Sequence, residues 1–472
     1  VIALSLAEIA TVVGGQTYDI PDPSVRVTAQ VVRDSREVEP GSLFAAFAGE
    51  RVDGHDYAAQ VVAAGAVAVL AQRPVGVPAI VVDDVQTALG ALARHVVARL
   101  GATLVALTGS AGKTSTKDLI AQVLQREAPT VWTPGSFNNE IGLPLTALSA
   151  TEETRFLVLE MGARGTGHIR YLTGLTPPRI GLVLNVGTAH IGEFGGREQI
   201  AEAKGELVES LPADGTAILN ADDPLVRAMA SRTRARVLFF GEAADADVRA
   251  ENVRLTENGQ PAFTLHTPSG CSDVRLRLYG EHHVSNALAA AAVAHDLGMP
   301  VDEIALALSE AGTLSRWRME VTERPDGVTV VNDAYNANPE SMRAALRALA
   351  AMGKGRRTWA VLGHMAELGD EGLAEHDAVG RLAVRLNVNK LVAVGGREAS
   401  WLQLGAYNEG SWGEESVHVS DAQAAIDLLR SELRPGDVVL VKASRSVGLE
   451  SVAQTLVADT AAGTATGGVD AR

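Results

Sequence analysis

A multidomain α/β protein with largely parallel sheets is the fold class the sequence predicts. Apolar strand-like runs alternate with alanine-rich helical patterns, as in VVAAGAVAVLAQ followed by PAIVVDDVQTALGALARHVV. Such alternation marks strands joined through crossover helices. A length of 472 residues exceeds what one hydrophobic core organises, so about three domains are expected. A hydrophobic fraction of 46% supplies material for those cores.

The first unit, residues 1–100, closes on a long helical pattern ending near Leu100 and Gly101. The second, 101–312, opens on the strand LVALTG and ends near Gly312, after the helical patterns NALAAAAVAHDLG and VDEIALALSEAG. The third, 313–458, starts at the arginine-rich SRWRMEV. Residues 459–472, DTAAGTATGGVDAR, are small, polar and glycine-rich, and read as a disordered tail.

Several function classes are excluded by composition. The longest apolar run, VVAAGAVAVLA, falls short of a membrane span, so no membrane insertion is expected. Glu8 interrupts VIALSLAEIATVV, which also lacks a basic leader, so export is not expected and a cytoplasmic location is. The single cysteine, Cys271, permits no intramolecular disulfide and fits a reducing compartment. A net charge of -16 argues against nucleic acid as a partner, since that affinity rests on neutralising phosphates. Any anionic ligand must therefore be met by local positive charge. Of the 41 basic residues only six are lysines: Lys113, Lys117, Lys204, Lys354, Lys390 and Lys442. Arginine carries the generic surface charge, which makes each lysine more informative.

The stretch LVALTGSAGKTSTKD runs from a strand through a glycine-bracketed turn into a helix. Gly109 and Gly112 let successive N–H groups at Ser110 and Ala111 turn toward an anion, and the following helix adds its positive end. Lys113 would reach the outer phosphates, the Thr114 hydroxyl would hold Mg²⁺, and Ser115 completes the turn. Leu107 stands where a full Walker loop places its first glycine, leaving the shorter G-x-x-G-K-T. Magnesium wants an acidic oxygen on a neighbouring strand end, and FLVLEMGARG supplies Glu160. A third strand, in RIGLVLNVGTAHIGEFGG, leads to His190. Three strand ends of one parallel sheet would thus deliver Thr114, Glu160 and His190 to its ligand-binding edge. Lys204, in REQIAEAKGELVESL, reads on composition as a helix-surface lysine.

TGSAGKTSTK, TPGSFNNEIGLPLTAL, LEMGARG, NVGTAHIGEFGG, IAEAKGE, NADDP, GEHHVSNALAAAAVA, RMEV, NDAYNANPESM, LGHMAELGD and LVKASRS, in this order, resemble the Mur ligases. DSREVEPGSLFAAFAGERVDGHDY is similar to that family's uridine-nucleotide domain. The resemblance covers all but the tail. It implies a small N-terminal UDP-binding α/β domain, a central P-loop-like ATPase and a C-terminal Rossmann-like domain. The implied chemistry is ATP-dependent amide synthesis through an acyl phosphate, joining D-alanyl-D-alanine to UDP-MurNAc-tripeptide, and a monomeric chain is expected.

The same resemblance assigns residues. Lys113, Glu160, His190 and Lys204 are implied to be catalytic, with Thr114 and Glu160 on one magnesium ion and His190 on a second. Lys204, matching the A-K-x-E segment, is implied to react with CO₂ and ligate metal as a carbamate. Asn286, Arg318, Asp333 and Asn336 match nucleotide-lining positions, with Arg316 close enough to compete with Arg318 for its assignment. Ser35, Arg36, Asp53, Gly54 and His55 match the uridine domain. Asn138 and Asn139 are expected on the sugar or peptide, and Lys442, Ser444 and Arg445 on substrate carboxylates. Unaided, DSR reads equally as a capped turn and NN as an Asx turn. His283 stands where the family commonly has asparagine, and His364 where it usually has aspartate, so His364 is given no catalytic role. NANPESM and ELGD favour the dipeptide-adding branch. A relative with another amine, the third-residue ligase or a folylpolyglutamate synthetase, and an NTP-driven switch remain as alternatives. Lysine or diaminopimelate at the third peptide position is left open.

Overall fold

The computed structural model describes residues 1–49, 52–187 and 195–465. Besides a two-stranded antiparallel pairing of Leu4–Ser5 with Arg26–Val27, three larger sheets follow one another along the chain. The first is built from β1 (Gln16–Tyr18), β2 (Val31–Val32), β3 (Leu43–Ala45), β4 (Ala68–Ala71) and β5 (Ala79–Val81), in the order β1-β5-β4-β3-β2. Only β1 runs antiparallel to its neighbour. The long helical pattern that ends this unit is α1 (Val85–Arg99), started by Asp84, whose carboxylate accepts the Thr87 N–H.

The second sheet has nine strands: β6 (Thr103–Thr108), β7 (Thr130–Trp132), β8 (Phe156–Glu160), β9 (Ile180–Val183), β10 (Thr216–Asn220), β11 (Arg236–Gly241), β12 (Val248–Leu255), β13 (Pro261–Thr267) and β14 (Gly270–Arg275). Their order is β14-β13-β12-β11-β10-β9-β6-β8-β7. The strands from β7 to β12 are parallel, and β12 to β14 form an antiparallel meander on one edge. That meander is the exception to the parallel sheets expected from sequence. β6 lies between β8 and β9, so the chain leaves it to both sides and opens a crevice at its carboxyl end. Three helices face this crevice: α2 (Lys113–Leu124), α3 (Arg197–Glu209) and α4 (His283–Asp296). Every residue of α4 from Asn286 to Ala294 is buried, which its alanines permit by letting the backbone lie close to sheet and α2.

The third sheet contains β15 (Glu320–Glu323), β16 (Thr329–Asn332), β17 (Thr358–Leu362), β18 (Lys390–Val394), β19 (Ser416–Val419) and β20 (Val438–Lys442), ordered β15-β16-β20-β17-β18-β19. β15 is antiparallel and the rest parallel. Between β16 and β17 lies α5 (Pro339–Met352), whose N-terminus is fixed by an Asn338–Ser341 capping box with proline at its first position. The final helix, α6 (Glu450–Ala465), continues through the start of the segment whose composition reads as a tail, and Asp459 on it pairs with Arg430 at 2.6 Å. Residues 466–472 lie outside the described residues.

Candidate active site

The turn between β6 and α2 has the shape its glycines require. Gly112 sits at φ +81°, and a Cβ there would lie 2.6 Å from Asn286 Oδ1, so both its dihedral and the approach of α4 demand glycine. Lys113 Nζ folds back onto the Gly109 carbonyl at 2.7 Å. The Ser110 and Ala111 N–H groups both donate to Asn185 Oδ1 at 2.9 Å. Asn185 follows β9 and so holds the loop's anion-facing amides in register with a neutral oxygen. The Ser110 hydroxyl accepts the Gly187 N–H at 2.9 Å.

β8 pairs Glu160 with Leu107 of β6, which brings its carboxylate to the base of the loop. Thr114 Oγ1 donates to Glu160 Oε2 at 2.9 Å and Asn138 Nδ2 to Oε1 at 2.7 Å. Glu160 is 1% exposed. A buried carboxylate beside a hydroxyl is the donor chemistry magnesium prefers. Among the described residues no cluster of three acidic or histidine side chains completes a protein-only metal cage. An ion here would be held by Thr114 and Glu160, with water and phosphate oxygens filling its remaining positions. His190 lies outside the described residues.

Lys204, on α3, is not a surface lysine. It is 5% exposed and lines the same cavity as Lys113. Burial, helped by the charge of Lys113, pushes its amine well below the usual lysine range. Lys113 is also lowered, by burial and Arg318, against the attraction of Glu160.

The third unit closes the cavity, which encloses about 440 Å³. Arg318 Nη2 donates to Thr114 Oγ1 at 3.3 Å, and its guanidinium lies 4.3 Å from the centre of the Tyr335 ring. Tyr335 in turn hydrogen-bonds Ser136, and Asn338 Nδ2 reaches the Ser110 carbonyl at 3.4 Å. Lys442 Nζ binds Asp333 Oδ2 at 2.6 Å and the Asn336 carbonyl at 2.9 Å. His282 also faces the cavity, and burial lowers its imidazole to about 4.

Ser110 to Ser115, Asn138, Asn139, Glu160, Lys204, Asn286, Arg318, Asp333, Asn336 and Lys442 therefore share one cavity. Asn139 also caps a helix start, accepting the Gly142 N–H at 2.9 Å. Ser444 and Arg445 are not among the residues lining it. Ser444 is buried and accepts the Ala366 N–H at 2.8 Å, while Arg445 pairs with Glu450 and stacks on Trp317.

The residues expected on uridine divide as well. A second cavity of about 830 Å³ is lined by Arg33 and Asp34 of the first unit and by Trp132 and Phe137 of the second; Ser35 and Arg36, next in sequence, are not among the residues lining it. Arg36 is turned toward Asp34 at 2.6 Å. Asp53 and His55 instead brace their own loop. His55 Nδ1 donates to Asp53 Oδ1 at 2.6 Å, while Nε2 accepts the Gln72 N–H at 3.0 Å. Gly54 is required because a Cβ would lie 2.9 Å from the Phe47 backbone.

Five contributors escaped the sequence reading: Lys117, Ser136, Asn185, Tyr335 and Asn338. Lys117 carried a signal in its rarity. It is fully buried and donates to the carbonyls of Thr133 and Gly135 at 2.7 and 2.8 Å, fixing the segment that carries Ser136 and Asn138. Asn338 is readable as a helix cap, since proline follows it and serine stands three residues on. Nothing in one sequence marks Asn185.

Comparison with known proteins agrees with this three-unit architecture. Family models for the Mur ligase family catalytic domain, the Mur ligase middle domain and the Mur ligase glutamate ligase domain match residues 29–97, 107–294 and 317–445. The UDP-N-acetylmuramoyl-tripeptide--D-alanyl-D-alanine ligase of Mycobacterium tuberculosis is 52% identical, over 98% of this chain and 99% of the relative. That of Escherichia coli is 37% identical over 96% and 98%. Among solved structures, MurF from Acinetobacter baumannii superposes with a TM-score of 0.86 at 33% identity, covering 97% of this chain and 99% of that one. MurF from Thermotoga maritima in complex with ADP gives 0.78 at 31% identity, over 92% and 99%. With its three units matched in order along nearly their whole length, the chain belongs to the Mur ligase family.

Proposed function

We infer that the chain is an ATP-dependent ligase that joins D-alanyl-D-alanine to UDP-N-acetylmuramoyl-tripeptide, the reaction for which its relatives are named. The observation that carries this reading is the meeting of two units in one cavity. Lys113, Thr114 and Glu160 of the second unit face Arg318, Asn336 and Lys442 of the third.

A carboxylate is a poor electrophile because its leaving group would be oxide. In the reaction, a carboxylate oxygen of the tripeptide bonds to the γ-phosphorus of ATP. The bond from that phosphorus to the bridging oxygen breaks, and ADP departs. The dipeptide nitrogen then attacks the acyl carbon, phosphate leaves, and the amine gives up its proton. Both reacting groups are anionic in the first step, so the residues around them must bring like charges together. Lys113 and Arg318 approach from opposite units, and the loop amides and the N-terminus of α2 add fixed dipoles. Magnesium, when bound, neutralises charge on the transferring oxygens; Thr114 and Glu160 are the residues that would hold it. Because Arg318 belongs to the third unit, the positive field is complete only when that unit lies against the loop.

Lys204 fits the proposed carbamate. Only a neutral amine attacks CO₂, and burial beside Lys113 keeps this one neutral far more readily than an exposed lysine. Among the described residues it meets no carboxylate. The second cavity, at the junction of the first and second units, is the place we assign to the uridine nucleotide, with Arg33 and Asp34 in its lining.

The test is to follow phosphate release from ATP with UDP-MurNAc-tripeptide, with and without D-alanyl-D-alanine. Release that needs both acceptor and amine, with amide product, supports the ligase. Release indifferent to both sinks it.

A further inference from the structure

We propose that Gln122 and Asp118 are positioning residues for the ligase reaction. They hold the segment joining the second and third units along α2, and so set where Arg318 meets the phosphate loop. This rests on the ligase reading above.

Residues 311–319 run from the helix Val301–Glu310 to β15 and carry Arg318 near their end. Gln122, Asp118 and Thr114 stand one turn apart on one face of α2, and each grips that segment. The Gln122 carboxamide takes the Gly312 N–H on Oε1 and donates to the Gly312 carbonyl through Nε2, both at 3.0 Å. One turn back, Asp118 Oδ2 accepts the Ser315 N–H at 3.1 Å. A further turn back, Thr114 Oγ1 takes Arg318 Nη2. The segment therefore runs antiparallel to α2, from its C-terminal end to the phosphate loop.

The three grips differ in what they face. Thr114 and Arg318 line the catalytic cavity, so a ligand entering it competes for their contact. Gln122, Asp118, Gly312 and Ser315 are not among the residues lining it. Their hydrogen bonds stay in place while the cavity fills.

Both outer grips are themselves fixed. Gln122 Nε2 also donates to the Asp118 carbonyl at 3.0 Å, which spends both amide hydrogens. Asp118 is 5% exposed, and its Oδ1 lies 2.9 Å from Lys117 Nζ. Lys117 in turn holds the segment from which Ser136 meets Tyr335 of the third unit. Fixing Ser315 also separates the two arginines that follow it: Arg316 is exposed, whereas Arg318 lines the cavity. Stabilising a transferring phosphoryl group depends on where the charge stands, so a segment free to shift would deliver Arg318 out of line.

The experiment uses the enzyme with ATP, UDP-MurNAc-tripeptide and D-alanyl-D-alanine. Gln122→Met keeps the side chain's length and removes both hydrogen bonds to Gly312. It should lower kcat between about tenfold and about a hundredfold with KM for ATP within about twofold, because the phosphate loop is untouched. Gln122→Glu, which keeps the acceptor for the Gly312 N–H, should recover part of the loss, and it carries the same tests if Gln122→Met does not fold. Asp118→Asn and Asp118→Ala both remove the charge beside Lys117, but only the first can still accept the Ser315 N–H, so it should be the more active. A merely structural glutamine multiplies its cost onto that of any other variant, whereas a positioning one acts through Arg318. In an Arg318→Ala background, Gln122→Met should therefore lower single-turnover phosphate release by no more than about twofold. Full kcat in Gln122→Met overturns the proposal, as does a loss that multiplies with that of Arg318→Ala; equal losses in the two Asp118 variants remove Asp118 from it. If the Arg318→Ala pair falls below detection, small-angle scattering with a non-hydrolysable ATP analogue and the tripeptide decides. A Gln122→Met chain more extended than wild type then supports the proposal, and an identical profile overturns it. If the wild type forms no amide, the ligase reading itself fails, which is seen before any variant is compared.

Discussion

Lys442 and Asp333 form a buried ion pair, 2.6 Å from Nζ to Oδ2, at the ends of the adjacent parallel strands β20 and β16. The other Asp333 oxygen accepts the Met319 N–H at 3.0 Å, so the pair anchors the turn that presents Arg318. That turn is strained: Trp317 and Met319 on either side of the arginine sit at φ +59° and +49°. Lys442→Met would leave Asp333 charged and unpaired in the interior, at a cost of about 3–5 kcal/mol. Urea denaturation should reveal that loss. Turnover should fall with it, whereas the Lys442→Met/Asp333→Asn double variant should recover stability without recovering activity.

Thr114, just after β6, and Glu160, at the end of β8, meet at 2.9 Å. The carboxylate also takes the Asn138 amide, so both of its oxygens are held by protein hydrogen bonds. Glu160→Gln keeps shape and burial and removes the negative charge. Turnover should drop by at least about a hundredfold, as for loss of one preorganised electrostatic partner. The magnesium concentration for half-maximal activity should rise, while the melting temperature stays close to wild type. An unchanged magnesium dependence would remove Glu160 from the metal's ligands.

Much of this was legible from residues. The turn at Gly109 to Thr114 could be read because an anion-binding turn needs glycine, lysine and threonine at fixed offsets on a strand-to-helix junction. Glu160 could be read because a magnesium-binding phosphate loop wants an acidic oxygen at a neighbouring strand end, and this apolar run ends in one. Lys204 could not: its helix looks amphipathic and solvated, and only the packing of α3 beside the loop buries it. Resemblance, not chemistry, marked it. Arg445 and Ser444 show the converse. They share a motif with Lys442, but the chain turns after β20, so one side chain stacks on Trp317 and the other fastens the segment after β17. Asn185 stayed hidden because its partners, Ser110 and Ala111, are more than seventy residues away in sequence. The antiparallel meander of β12 to β14 was not read because its strands follow one another through turns with no helix between them, a break in the strand–helix alternation on which the parallel reading rested.

Acid should destabilise this protein through its interior histidines. Burial lowers His282 to about 4, pushes His283 well below its ordinary value, and lowers His376. The unfolded chain takes up these protons near pH 6.5, while the folded chain refuses them. Stability from these groups is therefore full above about pH 6.5 and declines as pH falls toward the folded values. His282 alone accounts for about 3 kcal/mol across that window. The His282 and His283 rings lie 4.2 Å apart, so protonating one opposes protonating the other. Denaturation midpoints measured from pH 7.5 to 4.5 should fall steeply below 6.5, and His283→Asn should flatten that slope. A midpoint independent of pH over this range would contradict the burial of neutral rings.

Stability and activity should part company at Lys204. Holding an amine in a 5% exposed site beside Lys113 is costly, and the depressed proton affinity records that cost. Lys204→Met keeps the stem and removes the polar end, so the variant should melt above the wild type. The same variant should be inactive, because a thioether offers neither an amine for CO₂ nor an oxygen for metal. Lys204→Ala leaves a small cavity open to the cleft, into which a short carboxylate can pass. Acetate or formate should restore part of the activity of Lys204→Ala and none of that of Lys204→Met, whose side chain fills the space. If Lys204→Ala is as active as wild type, the carbamate is excluded. If it is inactive and no carboxylate restores it, the lysine acts through its own amine, and the depressed proton affinity serves that role instead.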